Sequence, residues 1–79
     1  MQDKLSDIII FHRKRSGLTQ LELADLAGVG KNLVYSLEKG QESVRLENLF
    51  KILRVLNISL DFQSPLKESY LKEHTDADR

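Results

Sequence analysis

Thr19–Gly40 reads TQLELADLAGVGKNLVYSLEKG, and its spacing decides the fold. Thr19 and Glu22 form a Thr-x-x-Glu capping box, in which the hydroxyl and the carboxylate each take one orphan backbone N–H. Leu23, Ala24, Leu26 and Ala27 follow as an apolar helical stripe. Gly28 then offers a left-handed backbone that ends the helix. Val29 plugs the corner. Gly30 begins a second helix, whose buried side is Val34 and Leu37. Lys39-Gly40 ends it, with a cation in the last turn and a glycine just beyond.

Two helices joined steeply by a short glycine-containing turn describe a helix-turn-helix unit. In such a unit the first residues of the second helix reach base edges in the DNA major groove. In this chain those residues are Gly30, Lys31, Asn32, Leu33, Tyr35 and Ser36.

Composition bounds the alternatives. Seventy-nine residues make one domain. A chain this short buries roughly 60–65% of its unfolded surface, so a partner chain would add stability. The formal net charge is zero, with 12 basic and 12 acidic side chains. DNA binding must therefore come from local placement of charge rather than bulk attraction. With no cysteine there is neither a disulfide framework nor a thiolate metal site. His12 and His74 lie far apart, without acidic neighbours at ligand spacing, so no metal and no other cofactor is expected. The run Ile8-Ile9-Ile10-Phe11 falls well short of the about 20 apolar residues a membrane span takes. No signal peptide is visible, and the expected compartment is the cytoplasm. No acid/base pair, nucleophile constellation or phosphate loop suggests an enzyme.

Around the central unit the chain continues the helical theme. Gln2–Ser16 reads as a first helix, with Asp3 and Asp7 near its start and Arg13, Lys14 and Arg15 near its end, both suiting the macrodipole. Leu5, Ile8, Ile9 and His12 share one face, and His12 reads as a partly buried structural histidine. Ile10 and Phe11 widen that stripe, toward the core or toward another protein. A half-buried Arg13–Glu38 pair would tie this helix to the second helix of the unit, and such a pair fixes geometry more than it adds stability. Leu46, Leu49, Phe50, Leu53 and Leu56 recur at helical spacing and predict a further core-facing helix. Arg45 stands at its start, where a cation is unfavourable unless an anion such as phosphate compensates. Ile52 and Val55 project from another side and suggest a surface covered by a second chain. Ile58–Gln63 alternates apolar and polar as a half-buried strand does. A lone strand leaves unpaired edges, so the expectation is pairing with its own copy across a two-fold axis, burying Ile58, Leu60 and Phe62. Residues 65–79 are polar. Leu66, Tyr70 and Leu71 could line a short helix there, and the last residues are expected to be disordered.

Thr19-Gln20, Ala24, Ala27-Gly28-Val29, Val34, Glu38, Gly40 and Leu46 together resemble the Cro/CI-type, or XRE, repressor family over about residues 9–60. The resemblance implies an all-α bundle of four to five short helices like that of lambda repressor, here with one C-terminal strand across a dimer. Residues 1–64 would be the DNA-binding domain, with the dimerisation strand at 58–63. Gln20 would touch a DNA phosphate; Lys31, Asn32 and Tyr35 would read bases; Arg13 and Glu38 match the family's buried ion pair. Phosphate contacts from Gln20, Lys31 and Arg45 would set register without reading sequence. Gly30 and Leu33 depart from the residues common at their positions, which leaves the preferred bases open. Val44-Arg45-Leu46, Leu49–Leu53 and Leu56–Leu60 are similar to HipB-type antitoxins. That likeness implies a homodimer that represses its own operon and holds a HipA-like kinase toxin. A stand-alone regulator of the same fold, and an adaptor that binds no DNA, are the alternatives.

Overall fold

The computed structural model describes residues 4–74. Expectations for Gln2, Asp3 and residues 75–79 lie outside the described residues. Five helices follow in order: α1 Leu5–Arg15, α2 Gln20–Ala27, α3 Lys31–Glu38, α4 Leu46–Val55 and α5 Lys67–Glu73.

The capping box forms at α2. Thr19 Oγ1 accepts the Glu22 N–H at 3.0 Å, and Glu22 Oε1 accepts the Thr19 N–H at 2.8 Å. Gly28 closes the helix at φ 75, ψ 34, in the left-handed region that a side chain disfavours. Its N–H and that of Val29 both return to the Ala24 carbonyl. The chain thereby turns within three residues from the end of α2 to the start of α3.

Packing assembles the first four helices. α2 lies against both α3 and α4, and α1 lies against α3. Ile9 of α1, Leu23 and Ala24 of α2, Val34 and Leu37 of α3, and Leu49, Ile52, Leu53 and Leu56 in and just after α4 form the buried core. Val29 packs on its edge, as the corner plug. His12 is half-buried, with Nδ1–H donating to the Ile8 carbonyl at 2.7 Å. Ile10 is half-buried, whereas Phe11 is exposed under the Arg15 guanidinium, 4.7 Å from its ring centroid.

Three expectations are corrected. Ile52 is fully buried inside its own chain (0% exposed) and offers no surface to a second one. Leu46 and Phe50, read as core, are instead 61% and 43% exposed. The reason is phase: Leu49, Ile52, Leu53 and Leu56 repeat at i, i+3, i+4 and i+7 as regularly as the stripe read from Leu46. A helix apolar around most of its girth does not reveal which side faces in. Val55 is half-buried against the core.

The strand at 58–63 is also not formed: residues 58–64 are irregular, and no strand occurs among the described residues. The Ile58 N–H returns to the Leu53 carbonyl at 2.9 Å, completing the end of α4 through Asn57 at φ 59. The Phe62 N–H is taken by its neighbour Asp61 at 2.7 Å. A strand ladder needs a second strand, and a single chain supplies none. Beyond it, Leu66, Tyr70 and Leu71 belong to α5 or its cap, but α5 buries no residue. It is held by Phe62 edge-on to Tyr70, with centroids 5.8 Å apart, and by Lys67 Nζ to Asp61 Oδ2 at 2.9 Å.

Candidate nucleic-acid interface

α3 presents a polar outer side because Val34 and Leu37 anchor its inner one. Its eight residues span about 12 Å, matching a major groove about 12 Å wide. Gly30, Lys31, Asn32 and Tyr35 are exposed, and Ser36 is half-exposed. Asn32 and Ser36 line a shallow groove whose other wall is Gln41, Ser43 and Val44 of the following loop. Leu33 is turned partly inward and packs on the core edge, so its apolar surface serves the fold first.

Gly30 caps α3 in ordinary extended conformation, at φ −74 and ψ 148, and a Cβ placed on it would meet nothing within 4 Å. No side chain caps α3 or α4. Both helix starts carry a cation instead, Lys31 and Arg45, and the two combine uncapped N–H groups with positive charge.

Beneath this face lies a buried polar knot. Arg13 Nε donates to Glu38 Oε2 at 2.6 Å and Arg13 Nη2 donates to Glu38 Oε1 at 3.1 Å. The third donor, Arg13 Nη1, satisfies the Leu18 carbonyl at 2.8 Å. The two side chains are only 12% and 5% exposed. Glu38 is the sole acid on α3, so this pairing leaves Lys31 unopposed by any acid on the same helix.

Gln20 joins the knot. Its Nε2 donates to Glu38 Oε1 at 2.9 Å, a link absent from the sequence reading. Lys39 is exposed at the end of α3. Its Nζ sits 4.9 Å from the Tyr35 ring centroid. The i, i+4 spacing of Tyr35 and Lys39 is the sequence signal for this contact.

A bent pair of helices with a solvent-facing second helix defines a helix-turn-helix domain. The profile of the helix-turn-helix family matches residues 11–63, and the chain belongs to that XRE-type family. It is 36% identical over 53 residues to the HTH-type transcriptional regulator y4mF of Sinorhizobium fredii, covering 67% of this chain and 70% of that one. It is 47% identical over 45 residues to an HTH-type transcriptional regulator of Methanothermobacter thermautotrophicus, covering 57% and 65%. A Haemophilus influenzae HTH-type transcriptional regulator is 36% identical over 52 residues, covering 66% of this chain and 53% of its own. Among the described residues, no helix is long and apolar enough to cross a membrane.

Proposed function

We propose that this protein is a sequence-specific DNA-binding transcriptional regulator that acts as a repressor. One observation carries the reading: Lys31, Asn32 and Tyr35 stand together on the outer side of a short helix that Val34 and Leu37 fix from within. Asn32 supplies a paired donor and acceptor for adenine, and Lys31 supplies a donor for guanine or phosphate. Arg45 and Gln20 flank them as phosphate contacts. Membership of the helix-turn-helix family and relatives named as transcriptional regulators support the same conclusion.

In its working form the regulator is a homodimer. Leu60, Phe62, Leu66, Tyr70 and Leu71 are all exposed in the single chain, and this C-terminal segment is where a second copy would bury apolar surface. The more specific form of the proposal is a HipB-like antitoxin that represses its own operon and holds a HipA-like kinase toxin. It rests on the sequence likeness of residues 44–60.

Gel shift against duplex DNA at increasing salt tests the first part. The expected result is a shift at low salt that weakens as salt rises; a folded protein that shifts no duplex contradicts it. Pull-down from the native host tests the second. A co-purifying kinase supports the antitoxin form, and repeated recovery of the regulator alone contradicts it.

A further inference from the structure

Glu38 does more than pair with Arg13. Its Oε1 accepts two hydrogen bonds, one from Arg13 Nη2 and one from the Gln20 side-chain amide. A carboxylate only accepts, so the nitrogen end of the Gln20 amide must face it. The amide orientation is thereby set by chemistry. One N–H of that NH2 group is used, and the other has no partner among the described residues.

The start of α2 has a matching pattern. The capping box consumes the N–H groups of Thr19 and Glu22. Those of Gln20 and Leu21 have no hydrogen-bond partner among the described residues. An arriving phosphate oxygen accepts and does not donate. Gln20 can meet it with the second N–H of its amide, because the first is held by Glu38. A free glutamine would lose rotamer freedom on binding. Here that freedom is already lost in the folded protein.

We propose that Glu38 is a positioning residue for DNA contact: anchored by Arg13, it holds the Gln20 amide so that its second N–H donates to one backbone phosphate in each half-site. The inference rests on the DNA-binding reading above and deepens it. It joins α1, α3 and the start of α2 into one rigid support for a contact that Gln20 makes.

The test uses the full chain and the duplex it selects from random sequence, with a neutral methylphosphonate placed at each phosphate in turn. Wild type is expected to lose about tenfold in affinity at one phosphate per half-site, the size expected for a hydrogen bond to a charged group. Gln20→Ala should bind about tenfold more weakly and be indifferent to neutralising that phosphate. The decisive variant is Arg13→Met combined with Glu38→Met. An apolar pair of similar volume keeps α1 packed on α3 while removing the anchor of Gln20. This variant should melt cooperatively and lose sensitivity at that same phosphate, with the other phosphates scanning as in wild type. If it folds, binds and scans as wild type does, Glu38 is a structural brace only and the inference falls.

Should the pair variant not fold, nuclear magnetic resonance of wild type decides. The Gln20 side-chain amide should be as rigid as the backbone before DNA is added, and one of its two protons should shift on titration with the duplex. A freely tumbling Gln20 amide overturns the inference. Wild type that ignores every duplex overturns the DNA reading itself, and this inference with it. Wild type that binds with no phosphate dependence removed by Gln20→Ala overturns the inference alone.

Discussion

Asn32 stands exposed on α3, one turn from Ser36 and beside Lys31, with no competing hydrogen bond to another described side chain. Its amide can engage adenine N6 and N7 together. Asn32→Ala should therefore cost about 1–3 kcal/mol in binding and relax the preference at one base pair. Titration against duplexes altered one pair at a time measures this; an equal loss on all of them would mean that Asn32 reads no base. Thr19→Ala acts instead on stability. It deletes one half of the capping box and should cost about 1 kcal/mol of unfolding free energy in urea. A change below a few tenths would show that Glu22 alone caps the helix. The capping box was legible in the sequence because capping depends on local spacing, and the same spacing placed Asn32 on the exposed side of α3. Gln20 was legible only in part. Its place at the helix start followed from the resemblance, but its bond to Glu38 spans 18 residues and no periodicity encodes it. Arg13 and Glu38 were easier, since opposite charges on neighbouring inner faces have few other ways to be buried.

At the scale of elements, α2 and α3 follow their sequence signals closely: a capping box, then Gly28 at a positive φ, then an amphipathic helix of eight residues. α4 was recognised as a helix but not in its rotation. Its apolar residues occupy most directions, and only the neighbouring helices choose Ile52 over Phe50 for the interior. The C-terminal segment departs furthest. Alternation at 58–63 predicted a strand, yet Asp61 spends its carboxylate on the Phe62 N–H and on Lys67, which bends the chain toward α5. The Lys67 hydrogen bond, then the Phe62 N–H and the Lys67 charge, hold the Asp61 carboxyl below its ordinary value of 3.8. A carboxyl depressed in the folded state contributes stability above its unfolded value and loses it as pH falls through the lower folded one. The attachment of α5 should thus be intact at neutral pH and weaken only in solution more acidic than 3.8. The Phe62 amide proton shift reports it. A titration midpoint below 3.8 is expected, and one at or above that value would contradict the Asp61–Lys67 link.

For the whole molecule, the nine core side chains all precede Asn57, while the exposed apolar series Leu60, Phe62, Leu66, Tyr70 and Leu71 all follows it. The first part folds on itself, and the exposed apolar series of the second is the surface proposed to meet a second copy. Truncation after Asn57 should leave a domain that still unfolds cooperatively but self-associates weakly. Sedimentation equilibrium measures this, and a truncated chain that remains fully dimeric would place the interface elsewhere, with Leu46 and Phe50 among the other exposed apolar residues.

The central claim is that the outer side of α3 reads duplex DNA, twice, in a symmetric dimer. Selection of bound sites from random duplex DNA by the full chain tests this most directly, because it reports binding, symmetry and spacing together. The account predicts enrichment of an inverted repeat whose half-site centres lie about 34 Å apart, one helical turn. A folded protein that enriches no sequence at low ionic strength would contradict it.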